Sequence, residues 1–394
     1  STGTSARPLN IAIVGMSAIM PQAQDLQSFW ENVINGVCAI REVPLGRWDW
    51  RRYFDPDPSS PDKIYSKWGA FLDPVPFDPM EYGIPPKSLP SIEPLQLLAL
   101  QAARQALEDA GYGGQRPFAR DRTAVVLGIS GVGDVGHLYG FRTLLPNFFG
   151  EDTSKITAFF ADHLPSWTED TFPGILMNVA AGRIANRLDL GGLNCTVDAA
   201  CASALAALYV GVRELEAGRS DMVLVGAADC MQDPYDFMCF AKTRALSAKG
   251  ESRPLDAEAD GICLGEGVAM VVLKRLEDAE RDGDRIYAVI HGIGAGSDGR
   301  ERSLTAPSKA GQVRVLEQAY ASSGLSPNTV TLIEAHATGT TLGDRTEIEA
   351  LTEVFRRAHA KPRSCALGSV KSCVGHTKST AGLASLIKVA LALY

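Results

Sequence analysis

Short, unbroken apolar runs alternate along the chain with longer stretches whose apolar residues return every three or four positions. The runs IAIVG (11–15), TAVVLGI (123–129), DMVLVGAA (221–228), VAMVVLKRL (268–276), YAVIHGI (287–293), LIEAHA (332–337) and CALGSV (365–370) are candidate strands. Their apolar residues are consecutive, the pattern of strands buried on both faces beneath helices. The stretches 94–111, 201–218 and 308–324 carry helical patterns, and the first and last close on Gly, a common helix stop. Strand and helix patterns in alternation predict an α/β fold.

A weak internal echo runs through the chain. Segments 196–212 and 369–393 each pass from a short strand through a turn into a helix rich in Ala and Ser. Small residues let helices approach closely, so both suit central helices between sheets. Two similar halves, 10–276 and 277–394, joined near 276–286, follow from this doubling. Residues 41–90 differ: Pro, Asp and Arg interleave with aromatics, which predicts an irregular, solvated surface excursion.

Composition narrows the class. The 394 residues are 45% hydrophobic, enough for two or three domain equivalents or one large doubled fold. A net charge of −8 lacks the basic footprint of non-specific nucleic-acid binding. Eight cysteines are spread without CxxC pairing, which argues against a disulfide framework and against a metal site. The first residues lack the apolar core of a signal peptide, and no apolar run reaches membrane-spanning length. A soluble, reducing, cytoplasmic setting is expected.

Candidate chemistry gathers at three strand ends. In VDAACASALAAL (197–208), Cys201 opens a helix, where the positive end of the helix dipole lowers a thiol's pKa. Taken alone, such a cysteine is more often a buried packing residue. His336 lies in IEAHATGTTLGD (333–344) and His376 in VKSCVGHTKSTAG (370–382), each where a strand meets a Gly-rich turn. Either histidine alone reads as a hydrogen-bonded turn residue. All three together sit where α/β sheets build their sites. A thiol can hold an acyl group as a reactive thioester. Two imidazoles can donate N–H bonds to the enolate oxygen left when a malonyl group loses its carboxylate. Lys371 would add positive charge, and Glu347, one turn into the helix after GTTLGD, could balance it.

From residue 10 onward these segments resemble the β-ketoacyl synthase family of the thiolase-like superfamily. The likeness rests on NIAIVGMSAIMP (10–21), DAACASALAAL, SRPLDAEADGICLGEGVAMVVLKRL (252–276), EAHATGTTLGD and KSCVGHTKSTAG, in the family's order. It implies a five-layered αβαβα sandwich of two similar halves, usually homodimeric. It implies a nucleophile at Cys201, a catalytic pair at His336 and His376, an active-site Lys371, and Glu347 as the acid pairing with it. Thr338 and Thr340 match positions that contact the phosphopantetheine arm of an acyl carrier protein. No cofactor is then bound directly, and malonyl and acyl thioesters are the substrates. The wording DAACASALAAL and EAHATGT is similar to iterative ketosynthases of enediyne polyketide synthases and polyunsaturated fatty acid synthases. In that subtype, the insertion 146–174 would shape the dimer face and acyl tunnel. Family members usually continue past ALALY through a segment like GFGGTNAH, so the resemblance implies a fragment with further domains on the same polypeptide.

Other readings fit less well. The stretches GVGDVG (131–136) and GAGSDG (294–299) match a dinucleotide-binding loop, but neither is expected to open a helix. A thiolase would use a second cysteine as base where this chain has His376, and a chalcone-synthase-like enzyme would pair its histidine with an asparagine. A non-catalytic scaffold that docks acyl carrier protein is the alternative from a different class.

Overall fold

The computed structural model describes residues 10–149, 166–300 and 306–394. Much of the insertion 146–174 lies outside the described residues. The strands are β1 (Ile11–Ile19), β2 (Arg41–Glu42), β3 (Trp68–Ala70), β4 (Thr123–Gly128), β5 (Asn194–Val197), β6 (Met222–Asp229), β7 (Leu264–Gly265), β8 (Gly267–Arg275), β9 (Ala288–Ile290), β10 (Leu332–Glu334) and β11 (Ala366–Gly368). The longer helices are α1 (Leu26–Ile34), α2 (Pro94–Asp109), α3 (Asp134–Phe149), α4 (Val179–Arg187), α5 (Ser203–Glu216), α6 (Pro234–Lys242), α7 (Lys309–Ser323), α8 (Thr341–Arg357) and α9 (Ala381–Leu393).

Six strands form one sheet in the order β5-β4-β6-β8-β1-β9. β4 runs parallel to β5 and β6, whereas β8 is antiparallel to both β6 and β1. Strands β1, β4 and β6 are buried along their whole length, as their unbroken apolar runs predict. Leu100, Ala103 and Ala106 of α2 and Ile184 of α4 pack on one face, against Val125, Leu224 and Met270. On the other face lie Ala204, Leu208 and Val212 of α5 and Leu383 and Ile387 of α9, against Val126, Val223 and Val271. Burying each Leu or Ile contributes about 1.5–3 kcal/mol, so the sheet's position is over-determined.

The two helices of the internal echo meet between sheets. A Cβ on Gly382 would stand 2.7 Å from the Leu205 side chain, so α9 crosses α5 closely only because small residues line the crossing. Beyond α9 lies the parallel pair β10–β11. Beyond that pair, α7 and α8 share a small core of Val313, Ala350 and Val354. Helix, sheet, helix, sheet, helix is the expected five-layered order.

Three expectations change. The segment 41–90 is not a solvated excursion. Its β2 and β3 join β7 in a small sheet, and Val43, Ile64 and Phe71 are buried with Phe237 of α6. Trp48 meets Phe237 edge-on at 5.2 Å, a contact too distant in sequence to read from local pattern. The helix expected from residue 201 begins at Ser203, because Ala200–Ala202 forms a tighter 3₁₀ turn. GVGDVG does open a helix, α3. The Glu93 carboxylate accepts the Gly136 N–H at 2.7 Å there, and a Cβ on Gly133 would collide with it. A side chain therefore fills the space a phosphate would need. Among the described residues no helix is long and apolar enough to cross a membrane.

Candidate active site

Cys201 sits in the sharp turn between β5 and α5. Ala200, just before it, has φ +50°, a left-handed conformation that costs a non-glycine residue of order 1 kcal/mol. Local hydrogen bonds hold the turn. Ser203 Oγ accepts the Ala199 N–H at 2.9 Å and donates to the Ala200 carbonyl at 2.7 Å, and Asp198 accepts the Ala200 N–H at 3.0 Å. Gly128, ending β4, abuts this helix start: a Cβ there would lie 2.5 Å from Ser203 backbone. The expected lowering of the thiol pKa is not what the surroundings produce. Burial pushes the Cys201 thiol up, and Lys371 draws it down only in part, with Asp229 opposing. Charge taken out of water outweighs the dipole of a helix that starts two residues later.

His336 follows β10 in the loop leading to α8. Glu347 reaches back from the second turn of α8, and its two oxygens accept the N–H groups of His336 and Ala337 at 2.8 and 2.7 Å. Glu347 thus clamps the histidine loop and makes no ion pair with Lys371 among the described residues; Lys371 feels its charge only at longer range. Ala337 has φ +22°, so backbone strain marks this loop as well. His336 is exposed to solvent, yet it lies deep enough among protein atoms for burial to act on it. Burial, then the charge of Lys371, pushes its pKa down to about 4.

His376 comes from the turn before α9. Its N–H donates to the Cys263 carbonyl at 2.7 Å, and its carbonyl accepts the Gly265 N–H at 2.9 Å. The motif ICLGEG is therefore the strand on which the second histidine is mounted. Gly265 and Gly375 make this approach possible: a Cβ on the first would lie 2.3 Å from the Val374 carbonyl, and one on the second 2.8 Å from the Cys263 carbonyl. His376 is 2% exposed, and its Nδ1 finds no hydrogen-bond partner among the described residues. Burial, reinforced by Lys371 and His336, holds its pKa well below the ordinary range. The two imidazoles stand edge to face, centroids 5.4 Å apart and planes at 84°.

Lys371 is 2% exposed. Burial lowers its pKa, with Glu334 and Glu347 resisting. Its charge is felt by Cys201, His336 and His376 alike, so the structure brings these four predicted residues to one place. Thr338 and Thr340 lie together on the same loop, hydroxyls 3.0 Å apart.

Sequence reading missed three residues. Glu334 accepts from the Val370 N–H and pairs with Lys388, tying β10 to the Lys371 segment and to α9. Asp229 and Lys378 form a buried ion pair at 2.8 Å beneath the His376 turn. A charged residue inside an apolar run, as in LIEAHA, was the available signal. The structure also brings ligand atoms of Asp134, His137 and Asp233 within 4.8 Å of one another, a grouping that sequence separation hid. His137 Nδ1 lies 3.5 Å from Asp233 there.

The Cys201 turn and the histidine pair are carried on the five-layered sandwich of the thiolase-like fold. The chain belongs to the β-ketoacyl synthase family: residues 9–279 match its N-terminal domain and residues 287–394 its C-terminal domain. It is 39% identical to a polyunsaturated fatty acid synthase of Thraustochytrium, over 97% of this chain and 14% of that protein. It is 36% identical to polyketide synthase PksN of Bacillus subtilis, over 98% of this chain and 7% of that one. The chain thus spans a small part of these multidomain relatives. Among solved structures, the module 6 ketosynthase of the bacillaene synthase from Bacillus subtilis superposes with a TM-score of 0.82 at 34% identity, covering 97% of this chain and 61% of that one.

Proposed function

We propose that this chain catalyses decarboxylative Claisen condensation between an acyl group held on Cys201 and a malonyl group carried by acyl carrier protein. The single observation that carries the reading is the edge-to-face pair His336–His376, placed with Cys201 around one buried lysine. Cys201 sulfur attacks the acyl thioester, and the carrier's thiol leaves with a proton. The malonyl thioester then loses carbon dioxide, and its electron pair becomes an enolate. Both imidazoles are neutral at pH 7, with values of about 4 and below the ordinary range, so each has one N–H to donate to the enolate oxygen. The enolate carbon attacks the acyl carbonyl, and the Cys201 thiolate departs from a β-ketoacyl product.

Thr338 and Thr340 would receive the phosphopantetheine arm through their adjacent hydroxyls. The exposed edge of β5, flanked by the exposed Leu193 and Leu205, supports a homodimer formed across that edge. Further domains on the same polypeptide and a cytoplasmic setting fit the size of the relatives and the unpaired cysteines. The similarity to a polyunsaturated fatty acid synthase supports iterative use, either there or in an enediyne-type polyketide synthase.

Intact-mass measurement after incubation with an acyl thioester tests the nucleophile. One acyl group should add to the wild type and none to Cys201→Ala; an adduct that survives the substitution overturns the assignment. His336→Ala and His376→Ala should still be acylated, but release carbon dioxide from malonyl carrier about 10²–10⁴-fold more slowly.

A further inference from the structure

Beneath the His376 turn lies a charged pair that the condensation chemistry does not use. Lys378 and Asp229 are 6% and 1% exposed, with Nζ 2.8 Å from Oδ1. Lys378 Nζ also donates to the Met231 carbonyl. Ser379 Oγ donates to the Ala228 carbonyl at 3.0 Å and lies 3.2 Å from Asp229 Oδ2. Lys378 itself has φ +45°, so its backbone is held in a conformation that only surrounding contacts maintain. The turn Lys378–Thr380 packs directly on the Ala200–Ala202 turn that presents Cys201.

We infer that the Asp229–Lys378 pair is a positioning device that locks the histidine turn against the nucleophile turn and sets the charge Cys201 experiences. The inference rests on Cys201 being the nucleophile. Three charged groups face the thiol. Lys371 comes from the segment after β11, Asp229 from the end of β6 and Lys378 from the turn before α9. Around the pair itself stand Asp236, 3.6 Å from Lys378, and Glu266, whose charge is countered by Arg47 at 2.7 Å. An ion pair removes the net charge of a buried lysine and a buried aspartate while leaving both ends fixed. The nucleophile's environment therefore depends on both members being present. Removing either one takes a charge of known sign away from beside the thiol and leaves the other without its nearest partner.

That sign gives the test. The pH midpoint of iodoacetamide alkylation at Cys201 is read by fragment-ion mass, which separates it from the other cysteines. Asp229→Asn leaves Lys378 charged, so the midpoint should fall by about half a unit or more. Lys378→Met leaves Asp229 ionised in the alkaline range of the titration, so the midpoint should rise by about as much. Lys378→Arg should restore the wild-type midpoint. Ser379→Ala removes hydrogen bonds at the same place without changing charge, and should lower melting temperature while leaving the midpoint unmoved. Equal midpoints in the Asp229 and Lys378 variants, or shifts of the same sign, would show a purely structural pair and overturn the inference. The two readings fail separately. Opposed shifts without acylation by a thioester would sink the condensing role of Cys201 and leave the pair standing. Acylation with unmoved midpoints would do the reverse.

Discussion

At the candidate site His336 stays uncharged at neutral pH. Its folded value of about 4 lies below the ordinary 6.5. Neutral folded imidazole therefore contributes stability that is full above about pH 6.5 and is lost as pH falls through 4. Histidine NMR should find its ring unprotonated at about pH 5.5, where an ordinary histidine is mostly charged. Glu93 and Asp134 carry the opposite sign. Burial pushes each up to about 7 from 4.5 and 3.8, so their contribution is full below about pH 4 and lost as pH rises through 7. Asp134→Asn should accordingly flatten the fall in urea stability between about pH 5 and 7. None of these values was legible in the sequence. They arise from which side chains bury one another, and Glu93 lies 41 residues from Asp134.

At the level of elements, one glycine lies against each part of the candidate site. Gly265 lets β7 run against the His376 turn, and Gly128 lets β4 end against the Cys201 helix. Gly265→Ala should cost about 1–3 kcal/mol in urea unfolding and slow carbon dioxide release more than acylation. Gly128→Ala should cost a similar amount and slow acylation first; transient acylation and decarboxylation assays distinguish the two. The strands themselves were readable, since an unbroken apolar run such as DMVLVGAA is buried on both faces and has one place to go. The 3₁₀ turn at Cys201 was not readable, because Ala200 adopts its left-handed backbone only under the grip of Asp198 and Ser203. The aromatic core of segment 41–90 was hidden for a related reason: its partner, α6, comes almost two hundred residues later.

On the scale of the whole molecule, the doubling of the fold was visible as two Ala- and Ser-rich helices, and their crossing at Gly382 explains why those residues are small. What the echo did not show is that β9, past the junction, still pairs with β1 of the first sheet. Sedimentation should report a particle of about twice the 42.1 kDa chain mass, because an unpaired sheet edge such as β5 tends to find a partner. Thr196→Pro, which removes a donor from that edge, should yield monomer. The seating of His376 on β7 and the Cys263 carbonyl before it has a consequence for how the protein is born. A ribosome delivers the thiol-bearing layers more than a hundred residues before the second imidazole, and domains tend to fold as they emerge. Until then the Cys201 turn lacks the packing of the Lys378–Thr380 turn against it, and Asp229 lacks its lysine partner. The site is complete only when Lys371–Val374 and Lys378–Thr380 dock onto β7 and the Cys201 turn, both already laid down.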